Sequence, residues 1–222
     1  MKLSYAEENY LKAIYRLSRQ SENGTSTNEI SHYVETKASS VTDMLKRLAK
    51  KEMVNYKPYQ PITITEKGRL MAIKTIRKHR LWEVFLVEKL NFKWDEVHEI
   101  AEELEHIHSD KLINRLDDFL NNPTHDPHGD PIPDADGNIE HHKDITIADL
   151  TEGQIGMIIG LKDTSSEFLQ FLDNSQLTLG KSIKVEEITG YDGSVTITIN
   201  MTTRKTISHQ VAKNLYIKKL TR

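Results

Sequence analysis

Four of the six prolines fall between residues 121 and 144, among Asp, Asn and Gly, and the hydrophobic period changes across that stretch. Before it, apolar side chains recur mostly at three- and four-residue spacing, which lines one face of a helix. After it, short runs alternate apolar and polar residues, the spacing of half-buried strands. The 222 residues must therefore fold as a mainly α part and a β part joined by a linker. We place the limits at 1–74, 75–122, 123–145 for the linker and 146–222.

The first part opens with a helix over residues 4–20. Tyr10, Leu11, Ile14 and Leu17 share a stripe, and Ser4 with Glu7 forms a capping box. Ser26 or Thr27 can cap a second short helix reaching Val34, and Ser39 or Ser40 starts a third. Val41, Met44, Leu45 and Leu48 recur at helical spacing in that third helix. Residues 53–57 and 62–65 then alternate as strands, with Pro58 and Pro61 bounding their connection. Helix, helix-turn-helix and hairpin together make a winged helix-turn-helix. Further helices are predicted over 66–90, 94–108 and 110–120. Beyond the linker, strands over 154–161, 182–188, 194–201 and 205–208, a closing stretch at 215–220 and one helix over 165–172 suggest a small β-barrel.

Charge is segregated along the chain. Residues 1–74 carry 13 Lys and Arg against 8 Asp and Glu, whereas residues 75–150 carry 8 against 18. A basic winged helix fits double-stranded DNA as its partner. In a helix-turn-helix the start of the second helix meets base edges. Here that start is Lys37-Ala38-Ser39-Ser40-Val41-Thr42. Ala38 can touch a thymine methyl, while Ser39, Ser40 and Thr42 offer short polar contacts. None is a bidentate reader, so affinity should come largely from Lys37, Lys46, Arg47, Lys50, Lys51 and Lys57 on phosphates. His32 reads as packing or a phosphate contact.

The acidic middle suits cations. On an unbroken helix His98, Glu102, Glu105 and His106 lie at i, i+4, i+7 and i+8, along one face. Glu102, Glu105 and His106 can converge on one ion. His98, a turn away, pairs instead with His79 and Glu83, themselves at i, i+4. The chain has no cysteine, so any metal site is built from nitrogen and oxygen. Such donors suit Mn²⁺ or Fe²⁺, with Zn²⁺ as an alternative, and we lean to manganese. His108 falls off the favoured face, and His125, His128, His141 and His142 read as incidental to the linker. No apolar run reaches the ~18 residues of a membrane span. Residues 1–20 lack an apolar signal core, so a cytoplasmic protein is expected.

Taken together, several segments resemble the diphtheria-toxin-repressor family of metal-dependent transcriptional repressors, which includes the manganese transport regulators. They are Glu8-Asn9-Tyr10-Leu11-Lys12-Ala13-Ile14-Tyr15, Arg77-Lys78-His79-Arg80-Leu81-Trp82-Glu83, Val97-His98 through Glu105-His106, and Gly129-Asp130-Pro131-Ile132-Pro133. The resemblance covers nearly the whole chain. It implies a winged helix, a helical dimerisation and metal-binding domain, and an SH3-like, FeoA-type barrel. It implies a homodimer that binds palindromic operators of metal-uptake genes when metal-loaded. It assigns a primary site to Asn9, Glu102, Glu105 and His106. It assigns an ancillary site to His79, Glu83 and His98, completed by Glu167 and by Asp163, the latter one residue out of register. Glu102 is the choice of the manganese branch, but that branch has Asp where Asn9 stands and Glu where Lys12 stands.

Two other readings fit parts of the pattern. One is a metal-dependent hydrolase, which needs an open coordination position and a placed base. No nucleophile elbow, phosphate loop or HExxH motif is found, so no enzyme is expected. The other is a winged-helix regulator that senses a non-metal ligand.

Overall fold

A computed structural model describes residues 2–19, 21, 23–139 and 145–220. Its contacts define two compact units, each assembled from separate stretches of chain. The first contains the described residues up to Trp82, with Ala101–Phe119 and Ile132–Ile139. The second contains Glu83–Ile100, Leu120–Pro131 and the described residues from 145 onward.

In the first unit, α1 (Tyr5–Ser18) begins at Ser4, whose hydroxyl accepts from the Glu7 amide while Glu7 returns the bond to the Ser4 amide. The same reciprocal cap, Ser26 with Glu29, starts α2 (Thr27–Tyr33). These boxes satisfy amide donors that a helix start leaves open. α3 (Ala38–Lys50) follows Lys37 without any side-chain cap. β1 (Val54–Asn55) and β2 (Thr63–Ile64) pair antiparallel as the wing, and Thr25 bridges to Ile62 beside them. α4 (Glu66–Leu90) spans the length the sequence predicts. Gly68 permits the wing to approach it, because a Cβ there would lie 2.0 Å from the Met53 carbonyl oxygen. Leu11, Ile14, Ile30, Leu45, Leu48 and Ile62 are fully buried in one core. Each contributes about 1.5–3 kcal/mol by leaving water.

The predicted helix over 94–108 is shorter in the structure. α5 covers only Val97–Leu104, and α6 runs from Asp110 to Phe119. The Glu105 amide still reaches the Ala101 carbonyl, but the Ile107 amide bonds to Leu104, a tighter turn. Glu105 and His106 therefore sit where the helix ends, and their side chains are drawn to α1 and α4 instead of continuing a single stripe.

The second unit holds β3 (Ile145–Thr146), β4 (Ile155–Leu161), α7 (Ser166–Ser175), β5 (Ser182–Ile188), β6 (Val195–Ile199), β7 (Thr203–Ile207), α8 (His209–Ala212) and β8 (Leu215–Lys219). The strands form one antiparallel sheet in the order β3-β8-β4-β5-β6-β7. Alternation does the sorting: Val195, Ile197 and Ile199 of β6 face inward, while Thr196 and Thr198 do not. Leu169 and Leu172 of α7, with Ile147 and Leu150 from a 3₁₀ turn, close the same core. β3, α8 and that 3₁₀ turn escape the sequence reading because each is four residues or fewer. Among the described residues, no helix is long and apolar enough to cross a membrane.

Candidate metal centres and nucleic-acid interface

At the start of α3, Lys37, Ala38, Ser39 and Ser40 are all exposed. Thr42 donates its hydroxyl to the Ala38 carbonyl at 3.0 Å, which leaves it only as an acceptor toward bases. Lys46 pairs loosely with Asp43 at 3.2 Å, and Arg47 and Lys57 are exposed. Tyr59, fully exposed, stands on the wing connection beside Lys57. His32 is exposed and shares a shallow groove with Asn28, Ser31, Lys37 and Ser40, so it is not a packing residue. Lys51 departs from expectation: it pairs with Glu7 at 2.6 Å and holds α1 to the end of α3.

The first unit gathers a carboxylate–histidine cluster from α1, α4 and the end of α5. Glu105 has no exposed surface, and its Oε2 lies 2.8 Å from His79 Nδ1. Single ligand atoms of His79, Glu102 and Glu105 all lie within 4.8 Å of one another. Lys12 stands among them. Its Nζ donates to Glu102 Oε1 at 2.5 Å and to both Glu105 oxygens at 2.8 Å. Burial opposes ionisation of Glu105, but His79 and Lys12 outweigh it and hold the carboxyl below its usual range.

His106 is oriented by α1. Its Nδ1 lies 2.6 Å from buried Glu8 Oε2, and the Tyr5 ring stacks on it at 4.4 Å. With Nδ1 bonded to Glu8, Nε2 is the free nitrogen, 3.9 Å from Glu105 Oε1. A carboxylate behind an imidazole is how proteins aim histidine ligands. His108 also faces Glu8, at 3.5 Å. Asn9 lies between Glu8 and Lys12, and its buried Oδ1 has no hydrogen-bond partner. An orphaned amide oxygen costs about 1–3 kcal/mol unless something accepts its lone pairs. That atom, two carboxylates and two imidazoles fit a divalent cation of hard or intermediate character.

The second unit holds another cluster. Glu83 of α4 and Asp126 and His128 of the linker are all buried, and one ligand atom of each lies within 4.8 Å of the others. His128 Nε2 donates to the Trp94 carbonyl at 2.8 Å, which leaves Nδ1 facing Glu83 Oε2 at 3.7 Å. Burial pushes the His128 pKa down, but the bond and charge of Glu83, with Asp126 behind it, raise it to about 9. Asp126 Oδ1 accepts the His128 and Asp130 amides at 2.8 and 3.0 Å. His98, on α5, brings Nδ1 to 3.6 Å from Glu83 Oε1.

The linker is held in place by close backbone contact. Gly129 adopts φ +87°, and a Cβ there would lie 2.2 Å from the Ile159 carbonyl oxygen of β4. The His128 carbonyl accepts the Leu161 amide at 3.1 Å.

The structure places the expected ligands unevenly. Glu102 and Glu105 come together around Lys12, His106 approaches Glu105 at 3.9 Å, and Asn9 lies on the adjoining turn of α1. His79 joins this cluster through Glu105, 2.8 Å away. Glu83 and His98 meet in the second unit. Asp163 accepts the Ser165 amide at 3.0 Å, and Glu167 is exposed in the first turn of α7. Neither belongs to a ligand-distance group among the described residues. His141 and His142 lie outside the described residues. His125 is exposed and bonds to Thr124 at 2.9 Å. His128, read from sequence as incidental, is a buried member of a cluster. The signal that could have found it is the Asp126-Pro127-His128-Gly129 turn, in which Asp caps amides and Gly allows close approach.

Known proteins resemble this chain along its whole length. The family model described as "Iron dependent repressor, N-terminal DNA binding domain" matches residues 2–62. The one described as "Iron dependent repressor, metal binding and dimerisation domain" matches 65–134, and the FeoA domain matches 145–219. The iron-dependent repressor IdeR of Mycobacterium bovis is 29% identical over 236 residues, covering 96% of each chain. A solved manganese-dependent transcriptional repressor in complex with manganese superposes with TM-score 0.85 at 30% identity, covering 96% of this chain and 100% of that one. The manganese regulator SloR superposes with TM-score 0.75 at 32% identity, covering 96% and 98%.

Proposed function

This chain belongs to the iron-dependent repressor family of metal-dependent transcriptional repressors, and from that premise we propose that it silences metal-uptake genes as a metal-loaded homodimer on palindromic operators. The observation that carries this reading is one chain holding a basic winged helix and carboxylate–histidine clusters without sulfur. We take residues 1–74 as the DNA-binding domain, 75–122 as the dimerisation and metal-binding domain, 123–145 as the linker and 146–222 as the SH3-like domain. The family is one of repressors, and we assign no catalysis. A cytoplasmic location follows from the proposed DNA target.

In the first unit, Asn9, His79, Glu102, Glu105 and His106 are the residues we assign to the cation. In the second, Glu83, Asp126 and His128 are assigned, with His98 beside Glu83. Bound there, a divalent ion supplies positive charge that both carboxylate groups share. Mn²⁺ is our preferred ion, with Fe²⁺ and Zn²⁺ as alternatives. Glu8 aims the His106 ring, and Trp94 aims His128. Residues of α1 and of the α5 turn thereby form one cluster, which fixes α1 and the winged helix packed on it. Two recognition helices held by a dimer would then enter major grooves about 34 Å apart. Lys37 and Arg47, with Lys46 and Lys57, contact phosphates, while Ala38, Ser39, Ser40 and Thr42 meet base edges.

Operator-binding titrations at buffered free Mn²⁺, Fe²⁺ and Zn²⁺ test this reading. Metal should tighten binding, and E105A should remove that effect while leaving the fold. Chelator-treated protein that binds its operator as tightly as the loaded form would overturn it.

A further inference from the structure

We propose that Lys12 is a built-in cation of the first cluster, and that a divalent ion enters this site only by expelling the Lys12 ammonium. The inference rests on the reading of that cluster as a cation site and adds what governs its filling.

The geometry is specific. An ammonium has three N–H donors. The Lys12 nitrogen makes three contacts, one to Glu102 Oε1 and two to the Glu105 oxygens. Those oxygens belong to the carboxylates that, with His79, converge to within ligand distance. Glu105 has no exposed surface, so its charge requires a compensating one nearby. In the metal-free protein Lys12 supplies it. An ion bonded to the same oxygens at about 2.0–2.6 Å would stand against the ammonium, with like charges in a site sheltered from water. Both cannot stay. The lysine stem is flexible, and the Lys12 side chain keeps 22% of its surface exposed. It has a route to solvent that Glu105 lacks.

Two consequences follow. First, α1 is already tied to the end of α5 without metal, through Lys12. Asn9, one turn earlier on α1, is left with its buried oxygen unused. An arriving ion exchanges the Lys12 tie for ligands that include that oxygen. Second, the lysine sets a threshold. A monovalent ion adds no more charge than Lys12 already provides, whereas a divalent ion adds one unit.

Calorimetric titration with Mn²⁺ on the full chain tests this, with E105Q marking which binding event belongs to the cluster. K12M, nearly isosteric but uncharged, should bind Mn²⁺ at the Glu105-dependent site about ten- to hundredfold more tightly. Its metal-free form should melt at lower temperature, because Glu102 and Glu105 lose the ammonium and Glu105 keeps only its bond to His79, and regain stability with Mn²⁺. A second measurement needs no variant. Amine acetylation read by mass spectrometry should find Lys12 protected in the chelated wild type and several-fold more reactive once Mn²⁺ is bound. Equal Mn²⁺ affinity in K12M and wild type, or unchanged Lys12 labelling while the Glu105-dependent site fills, would overturn the inference and leave the metal site standing. Mn²⁺ binding indifferent to E105Q in both proteins would overturn the site and the inference together.

Discussion

The two clusters use the same ligand types but neutralise their carboxylates by different means. In the first unit, a lysine ammonium sits on Glu102 and Glu105. In the second, Glu83 faces two imidazoles, His98 and His128, the latter with a pKa raised to about 9. An imidazolium becomes a ligand by giving up a proton. An ammonium on a long stem has to move away. The comparison teaches that metal entry should be proton-coupled in one unit and displacement-coupled in the other.

The largest effect should come from breaking the first cluster. Metal-stimulated operator binding, about 5- to 150-fold in coupled systems of this kind, should vanish in E105A when read by gel shift. If E83Q abolishes it and E105A does not, the roles assigned to the two clusters are reversed. A smaller effect is expected at the second cluster. Replacing His128 by Gln should weaken one Mn²⁺ per chain by about 10–100-fold, as loss of a ligand or its orienting partner does, while the other binding event persists in calorimetry.

The pH dependence sharpens the contrast. His128 titrates higher in the folded chain than its ordinary 6.5. Its pairing therefore stabilises the metal-free protein fully below about 6.5, and this is lost as pH rises through about 9. Urea midpoints of chelated protein should fall over that window, and less so in His128→Gln. Over the same window Mn²⁺ affinity at this cluster should rise, because the proton must leave before the nitrogen can bind metal. Glu105 behaves in the opposite sense. Its lowered pKa gives stability present above the ordinary carboxylate value and lost as pH falls through the lowered one. The smallest effect is a control at a residue that belongs to neither cluster. Lys57→Ala should weaken operator binding a few-fold and reduce the salt slope by roughly 0.9, with Mn²⁺ titrations unchanged.

Much of this was legible in the sequence because it is local. The capping boxes at Ser4 and Ser26, the span of α4 and the alternation of β5 and β6 all depend on neighbours within a few residues. The spacing of Glu102, Glu105 and His106 also pointed to a cluster, although α5 ends before the last two. What stayed hidden depends on distant contacts. Lys12 is 90 residues from Glu102 in sequence, and nothing in its own helix announces where its ammonium goes. His128 looks like any polar linker residue until Gly129 seats the backbone on β4 and buries the ring. Periodicity reports which face of an element is covered, not which remote side chain covers it.

The seating of Gly129 has a consequence for how the chain can be shortened. A protein cut before β4 would keep its winged helix and every residue of α5, yet the linker would have no carbonyl ridge to rest on and no Leu161 amide to bond. His128 would then be loose in water. The carboxy-terminal sheet is thus a mould for a loop it does not itself contain, and trimming it should cost ion capacity before it costs any helix of the first unit.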